Sequence, residues 1–190
     1  MSGNSPSVNT DYSAERLEEL AGGVAIIGMA GRFPGAASVE ELWANLKAGK
    51  SGIRRFGVSE LEDSFDAETR ADPNFVAARP ILDHIDLFDA EFFGYNAKDA
   101  ALTDPQQRIF LECVWHALED AGYDPKRSQG PIAVYAGSSL NTYFLRNVLQ
   151  DRAQVDVFTS NFQVGSYQEL MGALQDFVAT RVAYKLDLRG

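Results

Sequence analysis

Two apolar runs in the chain have the length and the flanking residues of buried strands. Val24 to Ile27 is continuously apolar and lies between glycines, which is typical of a strand covered on both faces. The segment from Pro131 to Gly137 has the same character. The pattern therefore predicts two buried strands, separated by about a hundred residues of other structure.

A first helix is predicted to begin at Ser38 and to end at Gly49. Ser38 and Glu41 have the spacing of a capping box, in which each side chain satisfies the other's exposed backbone donor. The apolar residues that follow have helical spacing and predict a stripe that faces the core. These residues are Leu42, Trp43 and Leu46.

The clearest helix is predicted from Asp104 to Ala121. Asp104 is the capping residue, Pro105 occupies the first helical position, and Gln107 is placed to complete a capping box. Gly122 closes the helix. The predicted buried face consists of Phe110, Val114, Leu118 and Ala121. The predicted polar row consists of Arg108, Glu112, His116 and Asp120, and its two carboxylates are spaced to pair with a protonated His116.

The other segments give weaker patterns. Residues 1–10 are rich in Ser and Asn and predict disorder, and a short helix is predicted from Ser13 to Ala21. Residues 50–103 predict loops with short helices, in which part of the set Phe88, Phe92 and Phe93 is buried. A helix is predicted over 142–149. A last helix carries Leu170, Leu174, Phe177, Val178 and Val182, with Arg181 and Lys185 in its final turn. The alternation of strand and helix indicates a layered α/β fold.

Composition excludes several classes of protein. The 190 residues carry 17 basic and 27 acidic side chains, for a net charge of -10, which argues against nucleic-acid binding. No apolar run approaches the length of about 18 residues that a membrane span needs, and the first twenty residues lack the pattern of a signal peptide, so the cytoplasm is the expected location. The single cysteine and the two histidines indicate neither a disulfide framework nor a metal site.

Two glycine-containing segments superficially resemble phosphate-binding loops. The glycines Gly28, Gly31 and Gly35 do not have the spacing of a dinucleotide-binding turn, and Pro34 breaks the turn where the helix should begin. The segment from Gly49 to Ser51 lacks the first glycine of a phosphate loop and follows a helix rather than a strand. Neither segment predicts a nucleotide site.

Ser139 lies between a predicted strand and a predicted helix, as the nucleophile of a serine hydrolase does, but Asn141 replaces the final glycine of that motif. No histidine follows His116 in the chain, so the usual order of nucleophile, acid and base is not completed. Cys113 lies in the middle of a helix, where a thiol usually packs as a small apolar group. His116 is expected to be solvated and His84 to lie in a loop.

A set of ordered segments resembles the N-terminal half of a β-ketoacyl synthase, in particular the ketosynthase of modular polyketide synthases. The similarity covers about residues 23–190, after a leader of residues 1–22. The segments that carry it are 24–35, 41–43, 85–94, 104–108, 111–112, residue 115, 117–122, 134–137, 141–143 and 179–190.

The resemblance implies a thiolase-like layered α/β fold that dimerises. It implies decarboxylative Claisen condensation of acyl thioesters carried on the phosphopantetheine of an acyl carrier protein, with no other bound cofactor and no metal. In such synthases a cysteine and two histidines perform the chemistry. The cysteine follows the Leu-Arg-Gly segment at 188–190 and the histidines lie further on, so neither Cys113, His84 nor His116 matches them. No catalytic residue is therefore assigned, and the partners expected are the carrier protein and the C-terminal half of the ketosynthase.

Some features depart from the pattern of the family. The segment from Ala173 to Gln175 stands where a polar helix start is usual, Leu102 and Thr103 stand where a Met is common, and Arg79 and Pro80 replace a glycine-rich stretch. Residues 13–21 are expected to form either a docking segment for an upstream module or a frayed tail. Ser138 and Tyr143 are expected near the substrate entrance, without an assigned role.

The main hypothesis is an N-terminal portion of a ketosynthase that is inactive alone. Two alternatives stay open: a non-catalytic docking or dimerisation module derived from a ketosynthase, and a serine hydrolase that uses Ser139.

Overall fold

A computed structural model describes residues 21–61, 65–127, 130–139, 142–162 and 167–190. The helices are α1 (Val39–Lys47), α2 (Ala67–Ala71), α3 (Ala97–Leu102), α4 (Pro105–Asp120), α5 (Arg152–Ser160), α6 (Tyr167–Met171) and α7 (Phe177–Lys185), together with a 3-10 turn at Val58–Glu60 and a π-helix at Phe144–Val148. The strands are β1 (Ile53–Arg55) and β2 (Ala78–Pro80). The predicted disorder of residues 1–10 and residues 13–20 of the helix predicted to end at Ala21 lie outside the described residues.

Helices α4 and α7 pack together and hold the core. Leu111 of α4 and Val182 of α7 are fully buried, and Phe93, Leu186 and Leu188 complete the buried cluster around them. The apolar face predicted for α4 is largely confirmed, because Phe110, Val114 and Leu118 are half-buried and pack against this cluster. The most buried positions of α4 are others that the prediction did not include: Leu111 and the polar residues Gln107, Arg108 and Glu112.

The polar row predicted on the side of α4 opposite its apolar face is buried in part, at Arg108 and Glu112. Glu112 pairs with Arg32 from a distant segment instead of with His116. The physical reason is that a long polar side chain can be buried when another part of the chain supplies its partner, and such a partner is invisible to helical spacing.

Helix α1 has the predicted ends. The Ser38 hydroxyl accepts a hydrogen bond from the Glu41 amide at 3.2 Å, and Gly49 adopts the left-handed conformation that closes a helix. The Glu41 carboxylate reaches back to the amide of Ala37, one residue before the expected one. The predicted buried stripe is wrong, because Trp43 and Leu46 are exposed and α1 adds no residue to the core.

The only sheet in the described residues is an antiparallel hairpin of β1 and β2 that the sequence did not predict. Ile53 pairs with Pro80 and Arg54 with Arg79. Both strands are three residues long and contain arginines, so they lack the alternation of apolar and polar residues that would predict a strand.

The two predicted buried strands are corrected. Residues 24–27 and 131–137 run through the structure without strand pairing, and most of their side chains are exposed. A strand needs a neighbour for its backbone donors and acceptors and a layer over each face, and the described residues supply neither in full.

The predicted last helix is divided into α6 and α7. Gly172 lies so close to the end of α3 that an added Cβ would be 2.8 Å from the carbonyl oxygen of Leu102. The Gly172 carbonyl accepts a hydrogen bond from the Asp104 amide at 3.0 Å, which removes it from helical bonding. The predicted helix over 142–149 is present as the shorter π-helix.

Candidate functional site

A polar junction lies at the start of α4, where three segments distant in sequence meet. We call it the α4 junction and define it by Asp104, Gln107, Gly172, Leu174 and Arg181. The Gln107 amide donates to the carbonyl of Leu174 at 3.1 Å, and its oxygen accepts from Nε of Arg181 at 2.6 Å. Gln107 does not complete a capping box, because its side chain is used in these two bonds instead.

Arg181 is the most connected residue of the α4 junction. In addition to Gln107, its guanidinium donates to the carbonyl of Met171 at 2.8 Å and to the hydroxyl of Tyr95 at 3.5 Å. Its five fixed N–H donors suit it to bridge several acceptors at once. Arg181, which the sequence analysis placed in the final turn of the last helix, therefore connects α7 to α4 and to the end of α6.

The junction extends to the segment that contains Ser139. The Ser139 amide donates to the side-chain oxygen of Gln106 at 3.2 Å, and the Ser139 carbonyl accepts from the side-chain amide of Gln175. Gln175 lies in the stretch that departs from the family pattern, and the described contacts of helix α7 include no side-chain cap there. The observed partners of Ser139 are thus glutamines that hold its backbone.

Burial of Asp104 in the junction has an electrostatic consequence. Its side chain caps α4 by accepting from the Gln106 amide at 2.6 Å. Loss of hydration still raises the pKa of the Asp104 carboxyl above its ordinary value, although that hydrogen bond and the charge of Arg108 act in the opposite direction.

A second long-range contact ties the N-terminal segment to α4. Nη2 of Arg32 lies 2.6 Å from the Glu112 carboxylate, whose side chain is only 11% exposed. Further along α4, the Asp120 carboxylate accepts from the Met29 amide at 2.8 Å. Gly28 packs so closely on α4 that an added Cβ would overlap the carbonyl oxygen of Ala117.

The structure does not assemble the nucleophile and base candidates into one site. In the described chain, no hydrogen bond joins any two of Ser139, Cys113, His84 and His116. Cys113 is half-buried, and desolvation raises the pKa of its thiol, as expected of a packing residue. His116 is exposed on α4 and His84 in its loop, so both predicted placements are confirmed.

Ser138 and Tyr143 flank two residues, 140 and 141, that lie outside the described part. The Tyr143 hydroxyl donates to the carbonyl of Ala101 at 2.7 Å, beside the α4 junction. Within the described residues, no group of three or more His, Cys, Asp or Glu side chains could hold a metal ion. No described helix is both long enough and apolar enough to cross a membrane.

Apolar side chains are exposed on two segments that have no strand partner. We refer to these two segments, residues 24–27 and 131–135, together as the open apolar face. Val24 is 98% exposed, Ile26 81% and Tyr135 92%. The amide of Ile132 donates to the carbonyl of Arg189 at 3.0 Å, so the end of the chain already lies beside the second segment.

Sequence reasoning missed the α4 junction and the Arg32 contact. Gln107 and Arg181 are 74 residues apart, and Arg32 and Glu112 are 80 apart. No local spacing connects such pairs. The one available signal was the concentration of polar residues in the first turns of α4, where an ordinary amphipathic helix would have a single polar face.

A family profile described as "Beta-ketoacyl synthase, N-terminal domain" matches residues 21–190. The chain is 45% identical over 168 residues to a phenolphthiocerol/phthiocerol polyketide synthase of Mycobacterium tuberculosis, and the match covers 88% of this chain and 11% of that protein. It is 39% identical over 170 residues to the polyketide synthase PksM of Bacillus subtilis, covering 88% of this chain and 4% of PksM. The chain thus spans a small part of these curated relatives.

Solved structures give the same result. Ketosynthase twelve of the bacillaene polyketide synthase from Bacillus amyloliquefaciens superposes with a TM-score of 0.71 at 34% identity, over 87% of this chain and 28% of that one. The ketosynthase from module 1 of the bacillaene synthase of the same species superposes with a TM-score of 0.69 at 35% identity, over 87% and 27%. The backbone therefore follows the thiolase-like fold of ketosynthase domains over their N-terminal part.

Proposed function

Since this chain belongs to the family of β-ketoacyl synthase N-terminal domains, we propose that it supplies the N-terminal portion of a polyketide ketosynthase. The complete enzyme would perform decarboxylative Claisen condensation of acyl thioesters. Its substrates would be carried on the phosphopantetheine of an acyl carrier protein, and it would act as a homodimer. The chain itself would contribute scaffold, and the nucleophilic cysteine and the two histidines would come from the C-terminal half.

The observation that carries this proposal is the open apolar face. Side chains such as Val24 and Tyr135 are almost wholly exposed, although each belongs to an apolar run with the composition of a buried strand. Exposed apolar surface that exceeds single scattered side chains is typical of an interface. Covering these segments with strands and helices of the remaining half would complete a layered sheet.

The internal contacts support a scaffold role. The α4 junction and the pair of Arg32 with Glu112 hold three segments against α4, namely the turn at 172–174, α7 and the segment around Arg32. None of these side chains is placed as a nucleophile with an adjacent base, which covalent catalysis would need. The described residues therefore fit a rigid support better than an independent catalytic centre.

The experiment compares the chain alone with the chain joined at Gly190 to the C-terminal remainder of the ketosynthase of the Mycobacterium tuberculosis relative. Both proteins are incubated with a carrier protein bearing a labelled acyl group. We expect acyl transfer to the joined protein only. A second joined protein, in which the nucleophilic cysteine of the added half is replaced, serves as the negative control. Transfer of label to the isolated chain would overturn the proposal.

Two substitutions connect the activity to the open apolar face. Ile26→Asp places a charge on this face and is expected to reduce the acyl transfer of the joined protein about tenfold or more, because the charge would be buried. Val76→Asp is the matched control, since Val76 is also exposed but lies near the β1–β2 hairpin. Equal activity of the two variants would contradict the interface. Carrier-protein binding by the isolated chain would favour a non-catalytic docking module.

A further inference from the structure

A cavity of about 580 Å³ lies between α3 and α7, beside the α4 junction. Its apolar wall includes Met171 and Phe177. Its polar wall includes the positively charged Arg181 and Lys185 and the negatively charged Asp99. The combination of an apolar wall and a few convergent polar groups is typical of a small-molecule site.

The two cations of this cavity lack ionic partners among the described residues. Arg181 and Lys185 are one turn apart on α7, an arrangement in which like charges repel. The hydrogen bonds described for Arg181 go to neutral oxygens, and Lys185 donates to the carbonyl of Gly94 at 3.1 Å. In the part of the chain that the structure describes, neither forms an ion pair, although the sequence carries 27 acidic side chains.

The ammonium of Lys185 is positioned rather than free in solvent. It lies 3.8 Å from the centroid of the Tyr95 ring, where the face of the aromatic ring attracts a cation. Burial and the nearby charge of Arg181 lower the pKa of Lys185, and Asp99 compensates in part. An anion in the cavity would relieve the same repulsion that lowers this pKa.

We propose that this cavity binds a small organic anion, with its charged oxygen atoms against Lys185 and the Arg181 side of α7, and its apolar chain against Met171 and Phe177. The Lys185 ammonium keeps donors for such a group, because one hydrogen bond to Gly94 uses one of its three. Asp99 sets the strength of binding from the opposite wall. This site goes beyond the proposed condensation, which does not require it.

The test uses three probes with the purified chain: hexyl phosphate, hexanol and inorganic phosphate. Equilibrium dialysis at neutral pH gives a dissociation constant for each. We expect hexyl phosphate to bind most tightly, since only this probe uses both walls of the cavity. Equal affinity for hexanol would show a purely apolar pocket, and equal affinity for inorganic phosphate would show a diffuse charge effect. Either result would overturn the proposal.

Two substitutions that are expected to change the affinity in opposite directions test whether the probe binds in this cavity. Lys185→Gln removes the ammonium and is expected to weaken hexyl phosphate binding about tenfold, the effect of one charge-assisted hydrogen bond. Asp99→Asn removes the opposing carboxylate and is expected to strengthen binding about threefold. Lys98→Gln is the matched control, because Lys98 lies on α3 and is exposed outside the cavity.

A general loss of structure would weaken binding in every variant and could not produce the increase expected for Asp99→Asn. If Lys185→Gln fails to fold, the comparison of Asp99→Asn with Lys98→Gln still decides the result. Unchanged affinity in Asp99→Asn, or an equal effect of Lys98→Gln and Lys185→Gln, would place binding elsewhere and overturn the proposal.

Discussion

Gln106 and Gln107 are neighbours in the sequence and differ in what surrounds their amides. Gln106 is exposed and accepts one hydrogen bond, from the amide of Ser139. Gln107 is only 4% exposed and bonds to both Leu174 and Arg181. The sequence assigns both residues to the first turn of one helix, and only the packed structure separates their roles.

This difference predicts unequal losses of stability. Gln107→Ala leaves Nε of Arg181 without its acceptor and removes the side-chain donor to the Leu174 carbonyl, which keeps only the Phe177 amide as a partner. We therefore expect the free energy of unfolding to fall by about 2 kcal/mol. Gln106→Ala, the matched control, should cost less than about 1 kcal/mol because water can replace the lost contact. Urea unfolding of the two variants measures the difference. Equal losses would mean that the α4 junction contributes no more than a surface contact.

Asp104 predicts a pH dependence with a defined sign. Its pKa in the folded chain is raised above the unfolded value, so the folded state binds the proton more tightly. The resulting destabilisation is absent below the unfolded pKa and is complete once the pH exceeds the folded pKa. Asp104→Asn keeps a good capping side chain and removes the charge.

We therefore expect the stability of Asp104→Asn relative to the wild type to be greater at neutral pH than in acid, below the unfolded pKa of the carboxyl. Unfolding free energies of both proteins across this range provide the measurement. Ser38→Ala removes the cap on α1 and a hydrogen bond that lowers the pKa of Glu40, so it serves as a control whose stability relative to the wild type should fall, not rise, between acid and neutral pH. A relative stability of Asp104→Asn that decreases with rising pH would contradict the assigned direction of the shift.

Among the elements, α4 shows which features of a helix can be predicted from its sequence pattern. Its first residue is the predicted Pro105, its last lies within one residue of the predicted end, and its cap is the predicted Asp104. Start and stop signals are local, so the sequence contains them completely. The predicted apolar face does pack on the core, but Leu111 and Glu112 are buried as well, because segments that are remote in the chain cover them.

The Arg32–Glu112 pair gives a prediction at this scale. Arg32→Met leaves the poorly exposed Glu112 carboxylate without its cation and should lower the free energy of unfolding by about 2 kcal/mol. Adding Glu112→Gln to that variant should recover part of the loss, since a neutral amide costs less to bury. Arg54→Met is the matched control, because the pair of Arg54 with Glu60 is exposed and contributes less than about 1 kcal/mol. Equal losses from the two arginine substitutions, or no recovery, would contradict this account.

For the whole molecule, the layered α/β expectation agrees with the superposition on ketosynthase domains. The layers themselves are incomplete in the described chain, where the one sheet is a two-stranded hairpin. The fold expected from the sequence thus rested on the ordered segments that resemble the ketosynthase family. The predicted strands at 24–27 and 131–137 have strand composition without strand pairing, because pairing depends on other segments.

The open apolar face predicts self-association of the chain. We expect the average mass in sedimentation to rise with protein concentration, because exposed apolar surface associates in water. Ile26→Asp should reduce this association, whereas Val76→Asp, near the hairpin, should not. A chain that stays monomeric at all concentrations, or equal effects of the two variants, would show that the face contributes nothing to association.

The sequence by itself determined the family, the ends of α1 and α4, and the placement of Cys113 and His116. These features depend on the order of residues and on interactions within one or two helical turns. Such interactions join residues that are close together in the sequence. The tertiary structure alone decided that Gln107 meets Arg181, that Glu112 meets Arg32, and that Gly172 divides the last helix. Each of these depends on the approach of segments that are remote in the sequence, and the burial that makes such contacts strong exists only after the chain has packed.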